Sequence, residues 1–357
     1  YYRRYTTDMY TASVALPAVY GTGSPKGNNA EMKTDGWELS LSWRDSFKLG
    51  GKPFDYSIKA MVWDSKSVIT KYVNDTGSLG TVKGFIENGG SPSSYYVGMT
   101  VGEIWGYTVA GLFRDQADID SSAIHDFVQA SDKVTRPGQV KIADLDGNGF
   151  IDPGNFAVDD HGDLRIIGNQ SPRYRYGVNL SARWNGIGLS VFLQGVGARD
   201  WYPGSDAGMF WGKYGRPFFA LIPSIHNYTD DMYSAERNNW DTAYWPRMTT
   251  YQSNGTKNWT RLLEIPNTRY IQSAAYLRVK NIQLDYSFPK HICSAIRLQG
   301  LKIYVNAENL FTFTPLHKYA PNFDPEGLSY DSDFPSAADG YTYPILKSVT
   351  VGVNITF

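Results

Sequence analysis

Residues 144–152 read Asp-Leu-Asp-Gly-Asn-Gly-Phe-Ile-Asp, and here residue type and spacing together specify a chemistry. Side-chain oxygens recur at Asp144, Asp146, Asn148 and Asp152, the carbonyl of Phe150 falls between them, and Gly149 stands where a sharp turn is needed. This matches the first nine places of an EF-hand calcium loop. In such a loop alternate residues of a tight turn bring about six to eight oxygens onto a hard cation. Place twelve departs from the pattern: Asn155 stands where a bidentate Glu belongs, and Pro153 and Gly154 interrupt the helix that should follow. A distal carboxylate (Asp159, Asp160 or Asp163) would have to take that place. We expect Ca²⁺ in a structural role, pinning a loop rather than catalysing. The competing reading is a cluster of Asx turns that bond their own backbone.

Little else suggests catalysis, and the chain does not read as an enzyme. The five histidines are scattered without metal spacing, no pattern isolates an acid–base pair among the 35 acidic residues, and no phosphate loop or nucleophile elbow occurs. Cys293 is the single cysteine, which excludes an internal disulfide. A net charge of −1 implies no nucleic-acid partner. Trp201, Tyr202, Phe210, Trp211, Trp240, Trp245 and Trp259 crowd one segment. Trp201, Trp211, Trp240 and Trp245 are its candidate ligand contacts, able to stack on sugar rings or meet a partner. Packing of the segment itself explains them equally well. Arg173, Arg175 and Arg183 either line a substrate path or pair with carboxylates of neighbouring strands.

The elements that must position these residues are strands. Tyr174, Tyr176, Val178, Leu180, Ala182 and Trp184 alternate with Arg173, Arg175, Gly177, Asn179, Ser181 and Arg183. Asn185-Gly186 follows, then Ile187, Leu189, Val191 and Leu193 alternate with Gly188, Ser190, Phe192 and Gln194. Period-2 alternation on both sides of Asn-Gly predicts a hairpin. One face is apolar and ends in aromatics while the other carries three arginines, which suits a β-barrel wall between lipid and water. Further strands are expected at 1–11, 36–44, 54–63, 275–288, 301–310 and 348–357, with a bulge between Val279 and Ile282 where the apolar phase slips. A helix is expected over 120–129.

Eight strands result, and their connections sort by length. Short links (45–53, 185–186, 289–299) alternate with long ones (14–30, 64–172, 199–269, 311–344). Outer-membrane barrels have short periplasmic turns and long outer loops. With Phe357 at the periplasmic end, every long connection lies outside, including the two large extracellular regions 64–172 and 199–269. This requires that 103–113 not be a barrel strand, or be paired with an unseen second one. The 15% aromatic content suits interfacial girdles or sugar platforms. No apolar run is long enough for a membrane-spanning helix, which leaves barrels open. No signal peptide is present, and the chain opens as if in mid-strand, so it reads as a mature or cleaved fragment.

Several segments together resemble the SusC-like TonB-dependent outer-membrane transporters of Bacteroidetes: YRRYTTDM (2–9), MKTDGWELSLSWRD (32–45), GEIWGYTVAGLF (102–113), GQVKIADLDGNGFID (138–152), IIGNQSPRYRYG (166–177), QGVGARD (194–200), YLRVKNIQLDYSFP (276–289), VNAENLFT (305–312) and YPILKSVTVGVNITF (343–357). The resemblance implies an all-β fold. Residues 1–357 would be the C-terminal part, about eight strands, of a large antiparallel barrel in a Gram-negative outer membrane, its plug domain absent from this chain. It also implies import of oligosaccharides or peptides, a SusD-like lipoprotein lid, and TonB acting through the missing N-terminal part. The alternative is a secreted, soluble β-rich carbohydrate-binding or glycosidase module with a structural calcium loop. A small closed barrel is a third reading.

Overall fold

In a computed structural model of the chain, the residues described are all except 13–18, 20, 22–24, 83–84, 86–91, 126–134, 204–209, 211–230, 248–264 and 329–344. The strands are β1 (Tyr2–Ala12), β2 (Lys26–Leu49), β3 (Lys52–Lys71), β4 (Glu103–Tyr107), β5 (Val109–Leu112), β6 (Val140–Ile142), β7 (Leu164–Asn169), β8 (Arg173–Trp184), β9 (Ile187–Ala198), β10 (Asp200–Trp201), β11 (Gln272–Ser273), β12 (Tyr276–Ser287), β13 (Gly300–Phe313) and β14 (Ser348–Thr356). Eight of them form one antiparallel sheet in the order β1-β2-β3-β8-β9-β12-β13-β14. β1 and β14 are its two edges and do not pair with each other, so these strands are not a closed small barrel.

All eight predicted strands are present. β2 and β3 are much longer than the spans 36–44 and 54–63. Phe47 and Leu49 continue the alternation, and the link shrinks to Gly50-Gly51. Both of those glycines have positive φ (58° and 77°), as Asn185 and Gly186 do (49° and 84°). Such two-residue turns match the twist of paired strands. Gly186 is also closely approached: a Cβ there would lie 2.6 Å from the carbonyl oxygen of Ser287. Gly186→Ala should therefore cost about 1–2 kcal/mol and slow folding into lipid vesicles, read as a later rise of the protease-resistant fraction.

The sheet is two-faced from β2 to β14. One row of direct partners runs Trp43, Ile58, Leu180, Val191, Ile282, Ala307, Val349. A second, nearer the short turns, runs Phe47, Phe54, Trp184, Ile187, Tyr286, Ile303, Val353. The opposite face gives Arg44, Ser57, Ser181, Ser190, Gln283, Asn306, Thr350. Among the described residues no second layer covers the apolar rows, and Trp43 is 62% and Val351 73% exposed. A water-soluble sandwich buries that face; here it is open to lipid. The predicted bulge is the register shift between Val279 and Asn281, which frees Lys280 from both neighbours of β12.

The buried core lies instead in the long connections. Leu79, Trp105, Tyr107, Ile151, Leu164, Trp201, Phe210, Trp245, Tyr270, Leu316 and Phe323 belong to one apolar cluster built from three of them. Residues 103–113 do not join the wall: β4 pairs with β7, and β5 with β6. The helix expected over 120–129 is displaced to α1 (Gln116–Asp120); residues 126–129 lie outside the described set. Asp115 caps its start by accepting from the Asp118 N–H at 2.8 Å. Ser121 and Ser122 close it, because both hydroxyls donate back to the Asp118 carbonyl. The link 289–299 carries a short helix, α2 (Lys290–Ala295), whose Cys293 is a buried packing residue.

Candidate functional site

The acidic turn hangs between the two small sheets. β6 ends two residues before Asp144, and Asp163 immediately precedes β7. The partners of these strands, β4 and β5, are consecutive, so both ends of the turn rest on one frame. Gly147 and Gly149 take positive φ (77° and 83°). Asp144 accepts from the N–H groups of Gly147 (2.6 Å) and Gly149 (2.9 Å), Asp146 from that of Asn148 (3.0 Å), and Asn148 from that of Phe150 (2.7 Å). The Asx turns are therefore present, and they hold the carboxylates in place.

Asp144, Asp146 and Asp163 each place a carboxylate oxygen within 4.8 Å of the others. Asp163 is fully buried and accepts from the N–H groups of Leu145 (2.6 Å) and Asp152 (3.1 Å), clamping both ends of the turn. Of the three distal carboxylates, it is the one that reaches the cluster. Asp160 instead accepts from the side chain of Asn155. Asp152 caps the Gly154 N–H (2.7 Å) and takes the Asn148 amide (3.1 Å), so it stands outside the group of three. Phe150 presents an exposed ring, and its contribution would be its backbone carbonyl.

The electrostatics leave a negative charge unsatisfied. Burial pushes the Asp163 carboxyl above its ordinary range, and the neighbouring Asp146 and Asp144 carboxylates push it further. At Asp144 desolvation acts in the same direction, but the N–H bonds from Gly149 and Gly147 outweigh it and hold its carboxyl low. The hydroxyl of Tyr107, a residue 1% exposed, has no hydrogen-bond partner among the described residues. Burial, then Asp163 and Asp152, oppose its ionisation. Converging carboxylates beside an orphaned hydroxyl are a donor set that a hard cation would complete.

The aromatic candidates fare differently. Trp201 and Trp245 are not presented to a ligand; they are 7% and 1% exposed. Trp201 packs on Phe323 (centroids 5.0 Å apart) and Phe210, and Trp245 stacks on Tyr270 (5.7 Å). Loops this large need a core of their own, and these rings supply it. Trp240 is half-buried against that core, while Trp211 and Trp259 lie outside the described residues. Arg173 grips Asp64 on the neighbouring strand with two bonds of 2.6 and 2.5 Å. Arg183 stands opposite Asp55. Arg175 lines a polar cleft with Ser65, Ser67, Asn169 and Ser171.

Two cross-loop assemblies escaped the sequence reading. Arg278, on β12, is 3% exposed and bonds Asp324 and Glu326 at 2.6 Å each, with Lys280 also on Glu326 at 2.9 Å. Arg199 donates to the carbonyls of Gln170 and Pro325, and Asp200 accepts from the Asn169 N–H at 2.9 Å. Arg199 and Asp200 thus tie three long connections together at the end of β9. Arg278 stands on the polar face, opposite Gln194 and Thr312, where an arginine is ordinary, and partners some 46 positions away carry no local signal.

Fold and sequence likeness point the same way. No protein-family model matches the sequence. Among curated proteins, the chain is 24% identical over 350 residues to TonB-dependent receptor P3 of Formosa agariphila, covering 96% of this chain and 30% of that protein. It is 23% identical over 363 residues to TonB-dependent receptor P26 of the same organism, covering 100% of this chain and 32% of that one. Among solved structures it is similar to the RagAB peptide importer in its closed-closed state (TM-score 0.62, 17% identity, 99% of this chain and 33% of that chain). The open-open state gives a TM-score of 0.61 at 18% identity, over 99% of this chain and 32% of that chain. The chain spans about a third of the length of the relatives it matches.

The fold is part of the wall of a large outer-membrane β-barrel. Along nearly its whole length the chain is similar to TonB-dependent receptors, which are receptors and transporters rather than enzymes.

Proposed function

We propose that the whole protein imports peptides or oligosaccharides across the outer membrane, driven by TonB, with a SusD-like surface lipoprotein over its mouth. One observation carries this reading. An eight-stranded wall with an open apolar face has its long connections at one end, where the described residues of three of them fold into a shared core. That end faces the medium and receives ligand and lid, while the tight turns face the periplasm. The likeness to a peptide importer favours peptide among the two substrate classes. The test is purification of the full-length protein from its native membrane with mass spectrometry of its companions, beside growth of a deletion strain on peptide or glycan as sole nutrient. Co-purification of a surface lipoprotein and a nutrient-specific growth defect are expected; a lone protein and unaltered growth on both would overturn the proposal.

In this reading Asp144, Asp146 and Asp163 hold a structural Ca²⁺, with Asn148, Phe150 and Asp152 shaping the turn. The ion would fix the first large loop against the second, because Tyr107 is hydrogen-bonded through its backbone to Pro266 and Thr268. Asp163 has a raised folded pKa, so the metal-free native state loses stability as pH rises from the unfolded value of 3.8 through the folded one. A cation relieves that cost at neutral pH. Chelation at pH 7 should therefore loosen residues 144–163, by roughly 2–3 kcal/mol where calcium stood near 100 times its Kd. Hydrogen exchange reads this, and the chelator effect should vanish once Asp163 is protonated. Asp163→Asn keeps an acceptor for the Leu145 N–H yet should abolish calcium binding; full occupancy in that variant rules out the site.

A further inference from the structure

On the apolar face, β2 leads from the short turn through Leu49, Phe47, Trp43, Leu41 and Leu39 to Trp37. Twelve residues at ~3.3 Å each, tilted by about 40°, rise ~30 Å, slightly more than the ~25 Å apolar band of such barrels. Trp37 thus stands at the upper rim of the band. The next residues of the same face, Asp35 and Lys33, lie about 5 and 10 Å higher, at headgroup level.

Cations gather there from three strands. Arg3 on β1 and Lys66 on β3 are the direct neighbours of Asp35, and Tyr5 and Val68 flank Lys33 one row above. Asp35 is shared by Arg3 (2.5 Å), Lys33 (3.4 Å) and the Tyr1 hydroxyl (2.8 Å). Lys66 is exposed and has no ion-pair partner among the described residues. The other nearby carboxylates are occupied: Asp64, opposite Trp37, by Arg173, and Glu31, further out, by Lys71. Among the described residues, three cations therefore answer to one carboxylate on the membrane-facing side of the wall.

We propose that Arg3, Lys33 and Lys66 form a site for the phosphate of a phosphorylated glycolipid in the outer leaflet. Strands lie ~4.8 Å apart, so Arg3 and Lys66 stand ~10 Å from each other across Asp35, a span that a phosphorylated sugar headgroup bridges. Trp37, with Leu39 below it, takes the acyl chains. Headgroup-level cations and aromatics are the anchors expected of a membrane wall. The inference rests on the loop end facing outward, and not on what is imported.

The test uses the full-length protein in nanodiscs containing bis-phosphorylated lipid A, with bound lipid counted by native mass spectrometry. Lys33→Ala/Lys66→Ala should retain several-fold less lipid A than wild type, and Lys33→Arg/Lys66→Arg should restore it. Lys71→Ala should change nothing, and dephosphorylated lipid A should bind wild type and double variant alike. Equal retention by wild type and the alanine variant, or equal wild-type affinity for both lipids, overturns the site. An epitope inserted at Gly77 separates the two readings. Labelling of intact cells with unchanged lipid binding defeats the lipid site alone; unlabelled cells defeat the orientation on which it depends.

Discussion

Trp43→Arg is expected to reduce membrane-assembled protein to a small fraction of wild type, whereas Ser42→Arg leaves it nearly unchanged. Heat-modifiable migration of the outer-membrane fraction measures both. Trp43 heads a wholly apolar row that continues through Ile58, Leu180, Val191 and Ile282. It lies six residues from the short turn, about 15 Å up a tilted strand and so near the bilayer midplane. A cation there costs about 2–4 kcal/mol. Ser42 points the other way, beside Lys59 and in a row that continues through Asn179, Phe192, Asn281 and Glu308. An added arginine on that side meets water, and its repulsion from Lys59 is screened. Equal yields from the two variants would mean that the apolar rows do not meet lipid.

Arg278→Ala is expected to release residues 314–328 from the wall while the eight-stranded sheet stays formed. The arginine is 3% exposed and is bonded to Asp324, Glu326 and the Thr312 hydroxyl. Its removal leaves two carboxylates facing one another with only Lys280 between them. Breaking a buried ion cluster from one side costs about 3 kcal/mol or more, most of it from the stranded charge. Hydrogen exchange should show lost protection at Leu316–Phe323, which belong to the loop core. Protection of β12 itself should persist, since its ladders to β9 and β13 are untouched. Protection of 314–328 at wild-type level would show that the apolar contacts of Leu316 and Phe323 suffice.

The wall was legible because a strand in a two-sided environment writes its facing into every second residue. Asn185-Gly186 declared its turn for an equally local reason, the positive φ that both positions require. The bulge at Lys280 showed as a phase slip, yet its use, carrying an ammonium to Glu326, did not. The cluster of carboxylates in the acidic turn was half legible. Asp144 and Asp146 follow from spacing, while Asp163 enters only because β7 returns it to the frame shared with β6.

The aromatic segment left two readings open for an instructive reason. Composition alone does not distinguish a ring that awaits a ligand from one that fills a core, and Trp201 and Trp245 do the latter. Sequence by itself determined which eight strands form the wall, which face each turns to lipid and which connections are long, because these depend on period and chain length. Tertiary structure decided what lies beside what: the loop core, the grip of Arg278 on Asp324 and Glu326, and the choice of Asp163 over Asp159 and Asp160. Those partners lie far apart along the chain, and a contact closed across a long loop leaves no periodic trace in the residues between.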